Sequence, residues 1–396
     1  MHETISYYLL NDSVVYNVLL DASRAFDRVN YVQLFRLLVK RNLCPAVTRF
    51  LLHLYSNQSM RVRWDTHTSD PRQVQNGVRQ GGVMSPLLFS VYMDELLIRL
   101  KNCGVGCYVG NQFMGAVAYA DDVSILAPNV ASLRQLLIIC EKFAEDFDVK
   151  FNASKSVIVV HGPDAVNRNI NVHFMNETIP VTDYLSTSKH LGIEIGNRNM
   201  QARVRSARAQ LYGQTNVVLS QFNHVDRSIR YKLFKTYCVN LYGCELWDVS
   251  HPSFLQYCIA FRKSQRNVLN LPYRTHTKYL PHLSDDIPMD LNVCRRIAKF
   301  ISRTPSNSNP MIKTSYKLLT SGSISNTGKS LSHLVNITKR SRHGFGTSPQ
   351  IPAETFIDLD VPFDLISIVK ELSGNLYQNI LTHPEVNAII YDICVN

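Results

Sequence analysis

From Ser13 to Asp21 the chain is β-branched and apolar ("SVVYNVLLD"), which predicts a buried strand ending at an acid. The spacing then turns helical across "SRAFDRVNYVQLFRLLVKRN". Phe26, Leu34, Leu37 and Leu38 share one side there, and "NLCP" marks the stop. A second short helix is predicted at "AVTRFLLHLYSN". "SMRVRW" and "RQVQNG" read as two short strands paired around the turn-forming "DTHTSDP". The Gly-rich "NGVRQGGVMSP" leads into a helix over "LLFSVYMDELLIRLKN", with Ser85 suited to the cap and Pro86 to the first helical position. Two apolar runs, "QFMGAVAYA" and "VSILAP", flank Asp121 and Asp122 and predict a β-hairpin. An amphipathic helix starts near Ser132, "KFNASKSVIVV" brings Lys155 to the entrance of another strand, and "KHLGIEIG" predicts one further short strand. The order of strand, helices, hairpin, helix and strand is that of an α+β fold with a split β-α-β-β-α-β antiparallel sheet backed by helices.

The texture changes after Asn197. "RNMQARVRSARAQLYGQTNVVLSQF" and "DRSIRYKLFKTYCVNLYGCELW" read as basic, aromatic-bearing helices, and "FRKSQRNVLNLPYRTHTKYLP" continues that character. From Ser302 to about His333 the chain is rich in Ser, Asn, Thr and Gly, which predicts a flexible connection. The pattern divides the chain into 1–197, a basic helical segment over 198–303, and a linker with a small, poorly defined C-terminal region over 304–396, where one or two small helices are expected beyond residue 350.

Composition narrows the function classes. The 396 residues exceed one ordinary core and imply two or three domains, and the 45% hydrophobic and 18% charged fractions are those of a globular protein. No apolar run approaches membrane-spanning length, and the N-terminus carries acids and lacks a basic leader, so an intracellular rather than secreted protein is expected. Nine scattered cysteines, with Cys103 and Cys107 the nearest pair, suggest reduced thiols and not a zinc site. The net charge of +11 is uneven. Residues 201–303 hold 16 Lys and Arg against 6 Asp and Glu, whereas residues 1–200 are nearly balanced at 19 against 18. Such a block is an electrostatic footprint for a polyanion, with a well-solvated helical surface the alternative.

Asp121 and Asp122 stand side by side in an apolar stretch, where burial is costly and mutual repulsion adds to the cost. A lone Asp suits a turn, but two adjacent acids call for solvation or a partner. A bound Mg²⁺ satisfies both. Asp21 ends a strand of the same proposed sheet and equally suits a helix N-cap. If that strand neighbours the hairpin, three carboxylates converge, and such a set can hold two divalent ions about 3.5–4 Å apart for in-line phosphoryl transfer.

Taken together, these stretches resemble reverse transcriptases, most closely those of LINE-type (non-LTR) retrotransposons. "LLDASRAFDRV" resembles motif A, "NGVRQGGVMSP" motif B, "YADDVSIL" motif C, "NASKS" motif D and "HLGIEI" the motif E primer grip, while "LYGCELW" is similar to the helical thumb that follows. The resemblance implies a polymerase palm over 1–197, a thumb beyond it, and RNA-directed DNA polymerase activity by transfer from a dNTP to a primer 3′-hydroxyl. Two Mg²⁺ ions, with Mn²⁺ a substitute, are then expected on Asp21, Asp121 and Asp122. Lys155 matches a lysine proposed to protonate pyrophosphate. Phe26 matches the gate that rejects a ribose 2′-hydroxyl, though a core phenylalanine at that spacing is equally natural. Arg79, Gln80, Gly81 and Gly82 match the segment that meets the nucleotide and template, and Ala22 and Tyr119 flank the acids at positions implied in the same contacts. An RNA template, a DNA primer or RNA–DNA hybrid and dNTPs are the implied partners, in the nucleus or cytoplasm, with phosphate contacts by the thumb. Tyr212, Tyr231, Tyr237, Tyr242 and Trp247 lie among its cations, where they suit either base stacking or helix packing.

Only twenty residues precede Asp21. The family's fingers and endonuclease belong upstream of that point, so the chain reads as truncated, with a separate protein a possible source of those parts. Two other readings stand beside polymerisation. One is a transposon-derived remnant that binds nucleic acid without polymerising. The other is a different palm enzyme, such as an RNA-directed RNA polymerase or nucleotide cyclase, against which Phe26 argues.

Overall fold

The apolar run before Asp21 forms β1 (Val15–Ala22), an inner strand of a four-stranded antiparallel sheet. The computed structural model describes residues 1–163 and 170–342. The sheet also contains β2 (Ala116–Tyr119), β3 (Asp122–Ala127) and β4 (Phe151–His161), in the spatial order β4-β1-β3-β2. That order and the antiparallel pairings are those of the split β-α-β-β-α-β fold, as the periodicity predicted. Helices α1 (His2–Leu10), α2 (Tyr31–Lys40), α3 (Pro45–Ser56), α4 (Ser85–Asn102) and α5 (Val130–Asp146) complete the scaffold.

Alternate residues of β1 face opposite ways. Tyr16, Val18, Leu20 and Ala22 enter the main core with Val123 and Ile125 of β3, Phe89 and Leu96 of α4, and Leu136 and Phe143 of α5. On the reverse face Val15 packs with Ile5 and Leu126, and Leu19 with Val159 and Ile195. Asn17 is fully buried there and accepts a hydrogen bond from the Ser124 hydroxyl at 2.8 Å. Tyr92 ties the segment after β1 to the end of α5. Its hydroxyl accepts from the Asn30 N–H at 3.1 Å and donates to the Phe147 carbonyl, and burial pushes it up to about 12.

Several expected elements differ in detail. The helix expected to begin near Phe26 is split. Arg24 takes φ +52°, a 3₁₀ turn covers Ala25–Arg28, and α2 starts only after Asn30, whose side chain accepts from the Gln33 N–H. Ser85 gives no cap but lies inside the first turn of α4, after Met84. The ribbon after α3 forms as two short ladders, Ser59–Met60 with Arg72–Gln73 and Arg63–Trp64 with His67–Thr68. Gln112–Phe113 leaves the predicted hairpin and pairs with Tyr108–Val109. "KHLGIEIG" is a hairpin of β5 (Ser188–His190) and β6 (Ile193–Ile195) and not one strand, because Leu191 and Gly192 both take positive φ and form a two-residue bend.

Glu3–Asn197 and the described residues from Arg198 onward are separate compact units. The second contains α6 (Asn199–Gln221), α7 (Arg227–Leu233), α8 (Pro252–Val268), α9 (Leu280–Ser284), α10 (Met289–Arg303), α11 (Pro310–Thr320) and α12 (Asn326–Arg342). Its core joins Val204, Leu211, Phe234, Trp247, Tyr257, Phe261 and Ile297. The predicted helix over 226–247 breaks after α7 into a π turn at Phe234–Cys238 and a 3₁₀ turn at Cys244–Leu246, where Gly243 has φ +72°. The flexible connection expected over 302–333 is corrected. Asn309 caps α11 through the Met311 N–H, Pro310 fills its first turn, and Leu319, Leu331 and Leu334 join the core. The Ser and Thr residues of α12 are also in use: Ser330 bonds Trp247 and Val249, and Thr327 bonds the Glu245 carbonyl. The small helices expected beyond residue 350 lie outside the described residues. No disulfide joins the cysteines among the described residues.

His161 ends β4 opposite Val15, is 4% exposed, and leaves Nε2 without a partner among the described residues. Burial lowers it from 6.5 to about 4. The unfolded chain therefore takes up a proton at higher pH than the native one. Native stability from this group is intact above pH 6.5 and declines as pH falls toward 4, by about 3 kcal/mol. Urea unfolding across that range is expected to show the decline, and His161→Leu to flatten it. Equal slopes in the two proteins would refute the assignment.

Candidate active site

The β1–β3 ladder pairs Leu20 with Val123, so Asp21 and Asp122 occupy the next level on adjacent strands. Both leave the sheet on the face opposite the main core. The β2–β3 ladder ends at Tyr119 and Asp122, leaving Ala120 and Asp121 as a two-residue bend. Ala120 takes φ +52° there, a conformation that costs a residue bearing Cβ about 1 kcal/mol. The fold therefore brings Asp21, Asp121 and Asp122 to one end of the sheet, all half-buried. None of the three carboxylates is in an ion pair or side-chain hydrogen bond among the described residues. Burial holds the Asp122 carboxyl above the usual range; His190 pulls it back, while Asp121 and Asp21 push it further up.

His190 was not singled out by sequence. It lies at the bend of the β5–β6 hairpin, half-buried, held low by burial and raised by the Asp122 charge. The resemblance of "HLGIEI" to a primer grip pointed to the segment but not to this side chain, because only the folded hairpin puts its charge within reach of Asp122.

Lys155 is exposed and sits within β4, not at its entrance. Leu19 pairs with Val157, yet Asp21 pairs with Asn152, so four residues (Ala153–Ser156) stand opposite the single Leu20. Polar side chains shape this bulge. The Asp21 N–H donates to Ser156 Oγ at 3.1 Å, and that hydroxyl donates to the Asn152 carbonyl at 2.7 Å. Asn152 Oδ1 accepts from the Lys155 N–H at 3.1 Å and the Ser154 hydroxyl at 2.7 Å. Bulges bend a strand and re-aim its side chains.

Phe26 lies on the 3₁₀ turn, half-buried and stacked on Phe89 with ring centroids 4.5 Å apart at 14°. The Gly-rich loop is strapped to this turn: Val78 N–H donates to the Phe26 carbonyl and Gly77 N–H to that of Val29. Gly77, which sequence reasoning passed over, has φ +92°, and a Cβ there would lie 2.8 Å from the Asp27 carbonyl oxygen. Gln80 Nε2 reaches Asp27 Oδ1 at 3.4 Å. Gly81 has φ +80° and open space around it, whereas a Cβ on Gly82 would meet Ser85 Oγ at 2.6 Å. Arg79 is exposed and unpaired among the described residues, and Tyr119 is exposed. Ala22 differs from the rest: its methyl group is buried in the main core, so only its backbone is available to a ligand.

Among the described residues, no three His, Cys, Asp or Glu side chains are gathered tightly enough to chelate an ion unaided. Mg²⁺ rarely uses an all-protein cage; it is held by one or two carboxylates with waters and substrate phosphates. Three unpaired carboxylates, two of which push the proton affinity of Asp122 up, suit that chemistry as a donor set.

Residues 4–195 match the family described as "Reverse transcriptase (RNA-dependent DNA polymerase)". A Pol polyprotein from the R2 retrotransposable element of Popillia japonica is 29% identical over 184 residues, 45% of this chain and 26% of that protein. An RNA-directed DNA polymerase from the jockey mobile element of Drosophila melanogaster is 22% identical over 314 residues, 74% of this chain and 32% of that protein. The chain thus spans about a quarter to a third of the length of these relatives. Among solved structures, apo telomerase from Candida tropicalis aligns with a TM-score of 0.40 at 12% identity, covering 85% of this chain and 53% of that one. Residues 4–195, with their antiparallel palm sheet, are a reverse transcriptase domain of the kind found in non-LTR retrotransposons.

Proposed function

We propose that this chain acts as an RNA-directed DNA polymerase, extending a DNA primer on an RNA template with dNTPs. The observation that carries the reading is the convergence of three unpaired carboxylates at one sheet end within a reverse transcriptase domain. Asp21, Asp121 and Asp122 would hold two Mg²⁺ ions, which when bound activate the primer 3′-hydroxyl and neutralise the triphosphate. Lys155, exposed on the β4 bulge, is suited to protonate the departing pyrophosphate. Phe26 keeps one face against Phe89 and leaves the other part-exposed, so a ring held rigid from behind excludes a 2′-hydroxyl by bulk. Gln80, Gly81 and Arg79 supply an amide, open backbone and a cation for the nucleotide and template.

The second unit supplies exposed cations for phosphates, in line with hybrid binding that is largely independent of sequence. Among the described residues no helix is long and apolar enough to cross a membrane. Work on an RNA template implies a nuclear or cytoplasmic setting.

Primer extension on an RNA template with an annealed DNA primer, dNTPs and Mg²⁺ tests the proposal. Incorporation is expected, and Asp121→Ala with Asp122→Ala should lower it on the order of 10³-fold or more. No incorporation by the parent, with hybrid binding intact, would favour a remnant that grips nucleic acid without polymerising. Phe26→Val should raise the ratio of ribonucleotide to deoxynucleotide incorporation about tenfold or more; an unchanged ratio would remove the gate assignment. Hybrid affinity measured by fluorescence anisotropy should fall at least about tenfold between roughly 50 and 200 mM salt. A flat salt response would exclude phosphate-dominated binding.

A further inference from the structure

The register of β4 on β1 changes at one point, beside Asp21. With the Leu19–Val157 pairing continued without interruption, Leu20 would face Ser156 and Asp21 would face Lys155. Directly opposed residues of an antiparallel pair have Cβ atoms about 4.5–5.5 Å apart on the same face. At that range an ammonium pairs with a carboxylate. The structure instead places Asn152 opposite Asp21, and Asp21 and Lys155 form no ion pair.

We infer that the Asn152–Ser156 bulge is a register device that withholds Lys155 from Asp21, leaving that carboxylate free to take a divalent cation. The inference rests on the reading of Asp21 as a cation ligand. Ser156 is the positioning residue. It is fully buried, and its single hydroxyl satisfies the Asp21 N–H and the Asn152 carbonyl, two backbone groups that a regular ladder would have paired with each other's strand. Asn152 completes the device from the other side. Its side chain fastens the Lys155 N–H and the Ser154 hydroxyl into the loop, so the lysine backbone is held away from the ladder. Take away the hydroxyl, and both orphaned backbone groups are best satisfied by closing the ladder. Closure brings Lys155 opposite Asp21. An ammonium held against the carboxylate occupies the oxygens a divalent cation would use, and their attraction is enough to weaken the competing cation about tenfold or more.

The test is Mn²⁺ binding to the full chain, followed by the loss of the free-ion electron paramagnetic resonance signal. Ser156→Ala and Asn152→Ala should each weaken Mn²⁺ binding about tenfold. Adding Lys155→Met to either should restore affinity to within about threefold of the parent, since the competing ammonium is gone. A role confined to strand packing predicts no rescue by Lys155→Met. If one single variant fails to fold, the other carries the test. Unchanged Mn²⁺ affinity in a folded single variant, or a loss that Lys155→Met does not reverse, overturns the inference alone. A parent that binds no Mn²⁺ overturns the metal-site reading and this inference with it.

Discussion

Like charge at one end of a buried sheet is the constraint around which the first unit is organised. Asp21 and Asp122 follow Leu20 and Val123, a pair that is almost completely buried. Like charges directly opposite each other destabilise a sheet. The sheet tolerates them because they lie one step beyond the apolar grip, where side chains are half-exposed and water screens the repulsion. Moved one level inward, the same pair would be desolvated outright. Asp122 shows that the margin is narrow, since burial already raises it and only His190 offsets the push. The strained Ala120 belongs to the same arrangement. A two-residue bend is what allows Asp121 and Asp122 to sit side by side at the ladder's end.

The loop that follows the α3 ribbon is placed by backbone, not by its polar side chains. Gly77 approaches the 3₁₀ turn so closely that any Cβ would collide with Asp27, and the two hydrogen bonds to Phe26 and Val29 depend on that approach. Phe26 is thereby fixed from two directions, by its carbonyl and by the stack on Phe89. The packing that makes it a core residue is also what the proposed gate requires. A ring can reject a substituent by bulk only if it cannot move away, and packing against a fully buried Phe89 removes that freedom.

Periodicity was enough for the sheet order, because buried strands and amphipathic helices write their faces into the chain at fixed intervals. It left Asp21 equally suited to a helix cap, and the roles expected of the three acids came from the family resemblance. Periodicity failed where one residue's backbone or hydroxyl decides the outcome. Lys155 was expected at the entrance of a strand, yet the strand already begins at Phe151, and Ser156 and Asn152 turn "NASKS" into a bulge within it. Nothing in an alternation pattern reports a hydrogen bond to the neighbouring strand. "KHLGIEIG" hid a bend because Leu191 takes positive φ, which leucine seldom does. The Ser- and Asn-rich stretch after Ser302 read as linker because cap chemistry and loop chemistry use the same residues. Asn309 and Pro310 open a helix there, and Ser330 and Thr327 serve the backbone of the bend at 245–249.

The basic character of the second unit also needs subtraction before it becomes a surface. Arg230 is buried and donates to the Val268 carbonyl and to Asn223, while Arg203 is buried and bonds the Leu246 carbonyl. Lys235 is committed to Asp286, which also receives the Tyr231 hydroxyl. These cations hold helices together and are poorly placed to neutralise phosphates. The aromatics divide in the same way. Tyr231 and Trp247 are core residues, whereas Tyr237 and Tyr242 are each 65% exposed. An exposed tyrosine can present ring surface to a base or sugar, and a buried one cannot. Any grip on a duplex therefore falls to the exposed remainder of the excess charge and to those two rings, a smaller and more localised surface than the charge count alone suggests.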